Sequence, residues 1–250
     1  MKLLEISDLC SSVYDATEDR EKSILRGINL TIEAGSTHIL MGTNGSGKST
    51  LANLLMGHPS HRVTEGSMKF SGRDLLEMKP DERARAGMFL AFQYPTAIPG
   101  LPVATFLKKA AEAYRGTEIS VREFQKELRS LMKELEIPPS FLGRFLNEGF
   151  SGGEKKRMEI LQLNLLQPRL VILDEADSGL DVDALKLLFR NIASKKDPER
   201  SLLIITHYER VFTYIQPDFV HIMKDGRIVR SGDTGLSRLI HSEGFEAAVR

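Results

Sequence analysis

Residues Gly42–Ser49 (GTNGSGKS) have the types and spacing of a phosphate-binding loop, G-x-x-x-x-G-K-[ST]. The loop follows a strand-like stretch, Thr37 to Met41, and opens a helical stretch, Lys48 to Met56. Glycines allow backbone N–H groups to close around phosphate oxygens, and a helix N-terminus adds partial positive charge. We therefore expect a nucleotide site here, with Lys48 at the β and γ phosphates and the Ser49 hydroxyl on Mg²⁺.

Two carboxylates follow another apolar strand, Leu170 to Leu173. The carboxyl ends of parallel strands form the edge at which open α/β sheets bind ligands, so Asp174 and Glu175 are expected there. Asp174 is a candidate ligand of the magnesium ion, and Glu175 is placed to orient or deprotonate an attacking water. Taken alone, two acids at a strand end are as often a solvated terminus, but the phosphate loop favours a hydrolytic site.

Shorter patterns occur at four further places. Residues Phe150–Glu154 (FSGGE) open a helix, and Ser151, Gly152 and Gly153 would present a hydroxyl and N–H groups to a γ phosphate. The alternative is an ordinary helix cap with two flexible glycines. Gln93 follows the strand-like stretch from Met88 to Phe92, His207 follows Leu202 to Thr206, and residues 178–181 read Ser-Gly-Leu-Asp. Taken singly, the last three patterns are weak signals.

In this order and spacing, the motifs resemble those of the ATP-binding cassette (ABC) ATPases. Gln93 matches the Q-loop, Ser178 to Asp181 the D-loop and His207 the switch histidine, while FSGGE resembles the signature usually written with Leu first and Gln last. The resemblance implies ATP hydrolysis with Glu175, His207 and Gln93 as catalytic residues, and Mg²⁺ held by Ser49, Gln93 and Asp174. The nucleotide-binding residues that it implies are Gly42, Asn44, Gly45, Ser46, Gly47, Lys48, Ser49, Thr50, Ser151, Gly152, Gly153 and Asp181.

Family geometry also implies an oligomer, because in such proteins the signature of one subunit faces the phosphate loop of the other. ATP would then be enclosed at a two-fold interface, in a homodimer that forms transiently on ATP binding. Tyr14 is a candidate for stacking on the adenine ring, although it borders a segment, Asp15 to Lys22, that we expect to be an extended loop in which it merely packs.

Longer stretches resemble one branch of this family, the SufC ATPases of the SUF iron–sulfur cluster assembly machinery. The matching stretches are residues 57–59, 63–66, 87–100, 146–154, 174–183 and 205–208 and on to 232. Phe150 and Glu154 depart from the general ABC signature but agree with SufC, whereas Thr43 and the chain after Asp233 do not match the SufC pattern closely. The resemblance implies a subunit that binds a SufB-like scaffold, and possibly a SufD-like one, and rearranges it through ATP-driven dimerisation.

Two other functions remain open from the sequence. An ATPase subunit of an ABC membrane transporter would use the same hydrolytic site and the same groove to receive its partner. An ATP-sensing module without turnover is disfavoured, because both Glu175 and His207 are present.

Composition limits the partners. The 34 basic residues equal the 34 acidic ones in number, which gives no global field for nucleic acid or anionic lipid. The apolar runs are strand-sized, which favours a cytoplasmic protein without direct membrane insertion. A single cysteine, Cys10, forms no internal disulfide and does not by itself hold a cluster or zinc.

The remaining periodicity predicts an α/β fold of the ABC type, with a mainly parallel core sheet, an antiparallel β layer and an inserted helical subdomain. The antiparallel layer comes from the alternating first residues and from Ser23 to Ile32, and a last hairpin turns at Asp225-Gly226. A helix is expected over 182–193 between two core strands. We expect one domain over 1–250, comprising a nucleotide-binding core (1–99 and 166–250) and a helical subdomain (100–165).

Overall fold

The fold is taken from a computed structural model, which describes residues 1–15, 20–92, 95–175, 189, 191 and 199–249. The strands in these ranges are β1 (Lys2–Asp15), β2 (Arg20–Glu33), β3 (Thr37–Gly42), β4 (His61–Phe70), β5 (Arg73–Asp74), β6 (Met88–Ala91), β7 (Ile98–Pro102), β8 (Phe145–Leu146), β9 (Leu170–Asp174), β10 (Ser201–Thr206), β11 (Phe219–Lys224) and β12 (Arg227–Gly232). The helices are α1 (Lys48–Leu55), α2 (Pro80–Arg85), α3 (Val103–Arg115), α4 (Val121–Glu134), α5 (Gly152–Leu166), α6 (Thr234–Glu243) and α7 (Phe245–Val249).

A six-stranded sheet in the order β12-β11-β3-β10-β9-β6 carries the candidate site. Its strands pair in parallel except for β12, which returns antiparallel through the hairpin turn that the sequence predicts. Both faces are covered: Leu202 and Ile204 of β10 enter one apolar core, and Leu203 and Ile205 enter the other. Burial on both faces explains why these strands read as continuous apolar runs. The predicted α/β fold class is confirmed.

The antiparallel layer is a four-stranded sheet in the order β2-β1-β4-β5. The prediction of an extended loop between Asp15 and Lys22 is wrong in its extent, because β1 continues to Asp15 and β2 already begins at Arg20. Tyr14 lies opposite Glu21 in this register. Pairing between β1 and β2 satisfies backbone N–H and C=O groups that in a loop would bind water. No local sequence pattern predicts this pairing.

Helices dominate the stretch between β6 and β9. The periodic apolar residues of α3 and α4 face one core, as predicted, and Ser151 caps α5 by accepting a hydrogen bond from the Glu154 N–H at 3.2 Å. The division into core and helical subdomain stays a prediction, and the helix expected over 182–193 lies almost wholly outside the described residues. In the part of the chain that the structure describes, no helix combines the length and apolar character needed to cross a bilayer.

A buried arginine fixes the C-terminal end of α1, the helix that begins at the phosphate loop. Arg83 is only 5% exposed, and its guanidinium donates to the carbonyls of Leu54 and Leu55 at 2.6 and 3.1 Å. It also donates to the carbonyls of Met78 and Leu75. The Leu54 and Leu75 carbonyls also accept backbone hydrogen bonds, from the N–H groups of Gly57 and Met78, so Arg83 adds a second donor there. A cation at the C-terminal end of α1 also complements the helix dipole.

We expect Arg83→Met to lower the free energy of unfolding by about 3 kcal/mol, because it removes four buried hydrogen bonds from a charged donor. Denaturant unfolding followed by circular dichroism measures this change. The matched control is Arg85→Met on the same helix, which removes an exposed ion pair with Asp81 and should change stability by less than about 0.5 kcal/mol. Equal effects of the two substitutions would contradict this account of Arg83.

Two buried histidines link three strands of the parallel sheet. His38 Nδ1 on β3 lies 2.9 Å from His221 Nε2 on β11, and each ring makes a further hydrogen bond, to Ser36 and Ser231. One ring donates and the other accepts across the shared bond, so the pair is satisfied in its neutral form. Burial lowers the pKa of both rings from 6.5 to about 4, and for His221 the neighbouring His38 acts in the same direction.

Stability should therefore fall as the pH is lowered. Above pH 6.5 the rings are neutral in the folded and unfolded states, and they contribute no pH dependence. Between about pH 6.5 and 4 the unfolded chain binds protons that the folded chain does not, which costs roughly 3 kcal/mol per ring. We expect His221→Gln to flatten this part of the unfolding free energy against pH, and the exposed His241→Gln to leave it unchanged. A profile that keeps its parental slope in His221→Gln would rule out the buried pair as its source.

Candidate functional site

The phosphate loop leaves β3 at Gly42 and enters α1 at Lys48, as the sequence predicts. A Cβ atom on Gly42 would lie 2.3 Å from the Met223 carbonyl oxygen, so only glycine fits beside β11. Gly47 has a φ of 106°, in the left-handed region that favours glycine. The Gly226 N–H donates to the Ser46 carbonyl at 3.0 Å, which anchors the loop to the turn between β11 and β12.

Lys48 is the buried cation of the loop. Its Nζ donates to the carbonyls of Gly42 and Thr43 at 2.9 and 3.0 Å. Burial lowers the pKa of this ammonium, and the carboxylates of Glu175 and Asp174 act in the opposite direction. A buried cation held by neutral carbonyls is poorly compensated, so anionic phosphate oxygens are its natural ligands.

A hydrogen bond joins the loop to the end of β9. Ser49 Oγ donates to Asp174 Oδ1 at 3.1 Å. Burial raises the pKa of Asp174, while the Ser49 hydroxyl acts against this rise. A buried carboxylate beside a hydroxyl is a set of hard oxygen donors, which fits Mg²⁺ held together with phosphate oxygens. Ser49 and Asp174 therefore lie together as predicted, and Gln93, the third predicted ligand, lies outside the described residues.

The next residue, Glu175, turns out of the sheet towards His207. Glu175 has a φ of 45°, and its N–H donates to the Ile205 carbonyl on β10 at 2.9 Å. This left-handed turn brings its Oε1 to 3.5 Å from Nδ1 of His207, which directly follows β10. A carboxylate and an imidazole that meet at the edge of the phosphate loop have the chemistry to hold and move a proton of water.

The phosphate loop and Glu175 border one open cavity of about 490 Å³. The loop contributes Asn44, Gly45, Gly47, Lys48, Ser49 and Thr50 to its wall, and Glu175 completes that side. Tyr14 does not line it and is 63% exposed, whereas Lys22 and Ile24 of β2 do line it. No motif in the sequence marks Lys22 or Ile24, because only the pairing of β2 with β1 brings these residues beside the loop. An aliphatic side chain and a cation thus border the space beyond the phosphates.

The signature residues lie apart from this cavity. Ser151 and Gly152 are exposed at the N-terminus of α5, and neither these two residues nor Gly153 lines the cavity. The chain thus brings together the predicted residues of the phosphate loop, Asp174, Glu175 and His207, and leaves the signature facing outwards. Asp181 lies outside the described residues.

Comparison with known proteins adds a family. Residues 25–178 match the model of the family described as ABC transporter. The chain is 50% identical to "Vegetative protein 296" of Bacillus subtilis (strain 168), over 90% of this chain and 87% of that protein. It is 46% identical to "Probable ATP-dependent transporter ycf16" of Cyanophora paradoxa, over 98% of this chain and 94% of the relative.

Solved structures share the fold. The "Dimeric structure of a post-hydrolysis state of the ATP-binding cassette MJ0796 bound to ADP and Pi" superposes with a TM-score of 0.80 at 19% identity, over 93% of this chain and 99% of that one. The "Structure of ATP binding subunit of ABC transporter" gives a TM-score of 0.78 at 27% identity, over 97% and 95% of the two chains.

We expect Glu175→Gln to lower the rate of ATP hydrolysis by at least about 100-fold, since an amide can hydrogen-bond water but cannot act as a base. Calorimetric affinity for ATP should stay within about twofold, because the phosphate contacts are intact. Glu5→Gln, which removes an exposed carboxylate on β1, is the matched control for the loss of one charge. If Glu175→Gln turns over ATP at the parental rate with saturating ATP and Mg²⁺, Glu175 is not the general base.

Proposed function

We propose a function from the premise that the chain belongs to the ABC transporter family. In this proposal the chain is a SufC-type ATPase subunit that dimerises on ATP. The dimer drives a conformational change in a SufB- or SufD-like scaffold for iron–sulfur cluster assembly. The chain is an ATPase, and ATP and Mg²⁺ are its ligands.

The signature carries the SufC part of this proposal. Phe150 and Glu154 stand where the general ABC signature has Leu and Gln, and both agree with the SufC pattern. Both side chains interact with the rest of the chain: Phe150 is 7% exposed, and Glu154 Oε1 lies 2.8 Å from Nη1 of Arg144. The resemblance thus rests on residues that are built into the packing of the chain.

Incompleteness of the site supports the dimer. The cavity is lined by the phosphate loop and Glu175 but by no signature residue, and Ser151 and Gly152 are exposed at the N-terminus of α5. Backbone N–H groups at a helix N-terminus bind phosphate, so a second copy placed with two-fold symmetry would complete both sites at once. The solved cassette with a TM-score of 0.80 is described as dimeric, which agrees with this arrangement.

Within the dimer we assign the following roles. The N–H groups of residues 42–50 and the Lys48 ammonium would hold the β and γ phosphates, and Ser49 and Asp174 would hold Mg²⁺, which neutralises phosphate charge when bound. Glu175 would orient the water and accept its proton, and His207 would hold Glu175 or the γ phosphate in place. Ser151 and Gly153 of the second copy would then contact the γ phosphate from the opposite side.

The proposed contact with the scaffold is formed by exposed apolar residues, one of which, Phe92, precedes Gln93 in the sequence. Phe92, Ile98 and Phe145, which we call the docking surface, are 51%, 43% and 44% exposed. Ile98 and Phe145 lie on β7 and β8, which pair with each other. Large apolar side chains that are exposed to this extent are typical of a protein contact. The sequence predicts a docking groove near residues 93–101, to which Tyr94, Pro95, Ile98 and Pro99 would contribute apolar contact area. Gln93 and Tyr94 lie outside the described residues.

The second candidate is the ATPase subunit of a membrane transporter. The names of the relatives favour it, since ycf16 of Cyanophora paradoxa is called a probable ATP-dependent transporter. A Streptococcus pyogenes relative, 47% identical over 98% of this chain, is called a probable ABC transporter ATP-binding protein. Both functions use the same hydrolytic site, and the partner separates them.

Copurification with tagged protein tests the proposal directly. We expect a water-soluble, cysteine-bearing SufB-like protein to copurify and to stimulate ATP turnover when it is added back. A tight complex with a membrane-embedded protein, and none with a scaffold, would replace the proposal with the transporter function.

We expect the double substitution Ile98→Asp with Phe145→Asp to abolish scaffold-stimulated turnover, because charges replace the apolar contact area. ATP affinity should be unchanged in calorimetry, since neither residue lines the nucleotide cavity. Val121→Asp on α4, which also replaces an apolar residue that is 61% exposed, serves as the matched control and should leave stimulation intact. If the folded double variant is stimulated as strongly as the parent, the scaffold docks at another surface of the chain.

A further inference from the structure

Arg144 lies just before β8, seven positions ahead of the serine of the signature, and its guanidinium makes three kinds of contact there. The Arg144 guanidinium carbon stands 4.2 Å from the centre of the Phe150 ring and 4.8 Å from that of Phe141. Its Nη1 donates to Glu154 Oε1 at 2.8 Å, and its Nη2 donates to the Gly149 carbonyl at 3.1 Å. One side chain thus binds residues on both sides of the signature serine.

Two of these contacts fall on the positions at which the signature departs from the general ABC pattern. Leucine at position 150 would offer no aromatic face to the guanidinium, and glutamine at 154 would offer no charge. Phe141 and Phe150 also pack against each other, with ring centres 4.9 Å apart. The departures and Arg144 therefore form one interacting group, which we call the arginine cluster: Phe141, Arg144, Phe150 and Glu154.

The arginine cluster acts on the cap of α5. Glu154 Oε2 accepts from the Ser151 N–H at 2.7 Å, while Glu154 Oε1 is held by Arg144. The Glu154 N–H in turn donates to Ser151 Oγ. This reciprocal capping fixes the backbone and hydroxyl of Ser151, and the N–H groups of Gly152 and Gly153 follow from it. The chain leading in is bent, since Asn147 and Gly149 have φ values of 58° and 63°.

We propose that Arg144 is a positioning residue for the signature: it holds Glu154 and Phe150 so that Ser151 to Gly153 are already arranged to meet the γ phosphate of ATP bound to a second copy. This inference rests on the proposed function, because it requires the signature of one copy to complete the site of another. Preorganised donors lose less free energy on binding than donors that must first be ordered. Removing Arg144 should therefore weaken the ATP-bound dimer without touching the affinity of one chain for ATP.

Arg144→Met tests this in the Glu175→Gln background, where ATP is not consumed. Sedimentation in ATP and Mg²⁺ should show a dimer dissociation constant about tenfold higher than in the parent, the effect of losing one charge-assisted hydrogen bond. Calorimetry on the dilute monomer should give an ATP affinity within about twofold of the parent. In the otherwise unsubstituted chain, kcat at a fixed protein concentration should fall while the ATP affinity of the monomer does not.

A matched control and a double-mutant cycle separate positioning from loss of stability. Arg115→Met removes another arginine that binds one carboxylate, Glu127, at 3.0 and 2.6 Å and one carbonyl, and it should leave dimerisation unchanged. Glu154→Gln keeps an acceptor for the Ser151 N–H but loses the ion pair, and it should weaken the dimer as Arg144→Met does. The two substitutions together should weaken the dimer less than the product of their separate effects, because they break one shared contact.

The outcomes distinguish this inference from the proposed function. If the Glu175→Gln parent stays monomeric in ATP, the proposed function is wrong and the role of Arg144 falls with it. If the parent dimerises and folded Arg144→Met dimerises equally well, only the role of Arg144 is overturned. Should Arg144→Met fail to bind ATP, Glu154→Gln decides in its place: parental dimerisation of Glu154→Gln overturns the inference, and a dimer about tenfold weaker supports it.

Discussion

The hydrogen bond from Ser49 to Asp174 is the contact on which the rest of the site depends. It joins the first turn of α1 to the carboxyl end of β9, although β10 lies between β3 and β9 in the sheet. A hydrogen bond that spans β10 in this way requires the three parallel strands β3, β10 and β9 to be in register. It also requires a loop that closes tightly over their carboxyl ends. Both faces of those strands are buried in separate apolar cores, and Gly42 leaves no space between the loop and β11.

This geometry places charge where water is scarce. Burial lowers the pKa of Lys48 and raises that of Asp174, so each group is disfavoured in its charged form by its surroundings. Their mutual attraction offsets part of that cost, and a nucleotide with its Mg²⁺ would supply the remaining compensation. The same desolvation strengthens the attraction between the site and its ligand, because opposite charges interact more strongly in a low dielectric. The poorly compensated charges thus favour tight binding of phosphate.

Local sequence patterns predict the parts of this protein whose structure is local. The phosphate loop, the acids after β9, the cap at Ser151 and the last hairpin are each contained in a few consecutive residues, and each lies where the sequence predicts. The pairing of β2 with Tyr14, the entry of Ile24 into the cavity and the four carbonyls around Arg83 depend on tertiary contacts instead. A pattern of residue types along one segment does not specify which distant segment lies against it.

Tertiary contacts also hold the outward-facing end of α5, which lies apart from the nucleotide cavity. The phosphate loop and the acids have little freedom to vary, since phosphate and water set their geometry. The outward-facing end of α5 has more freedom, because its N–H groups have to be held in place but not by any particular neighbour. Arg144 with Phe150 and Glu154 is one solution to that requirement, and leucine with glutamine would need another. Because Arg144 contacts both Phe150 and Glu154, we expect the effects of substitutions at these three positions to depend on one another.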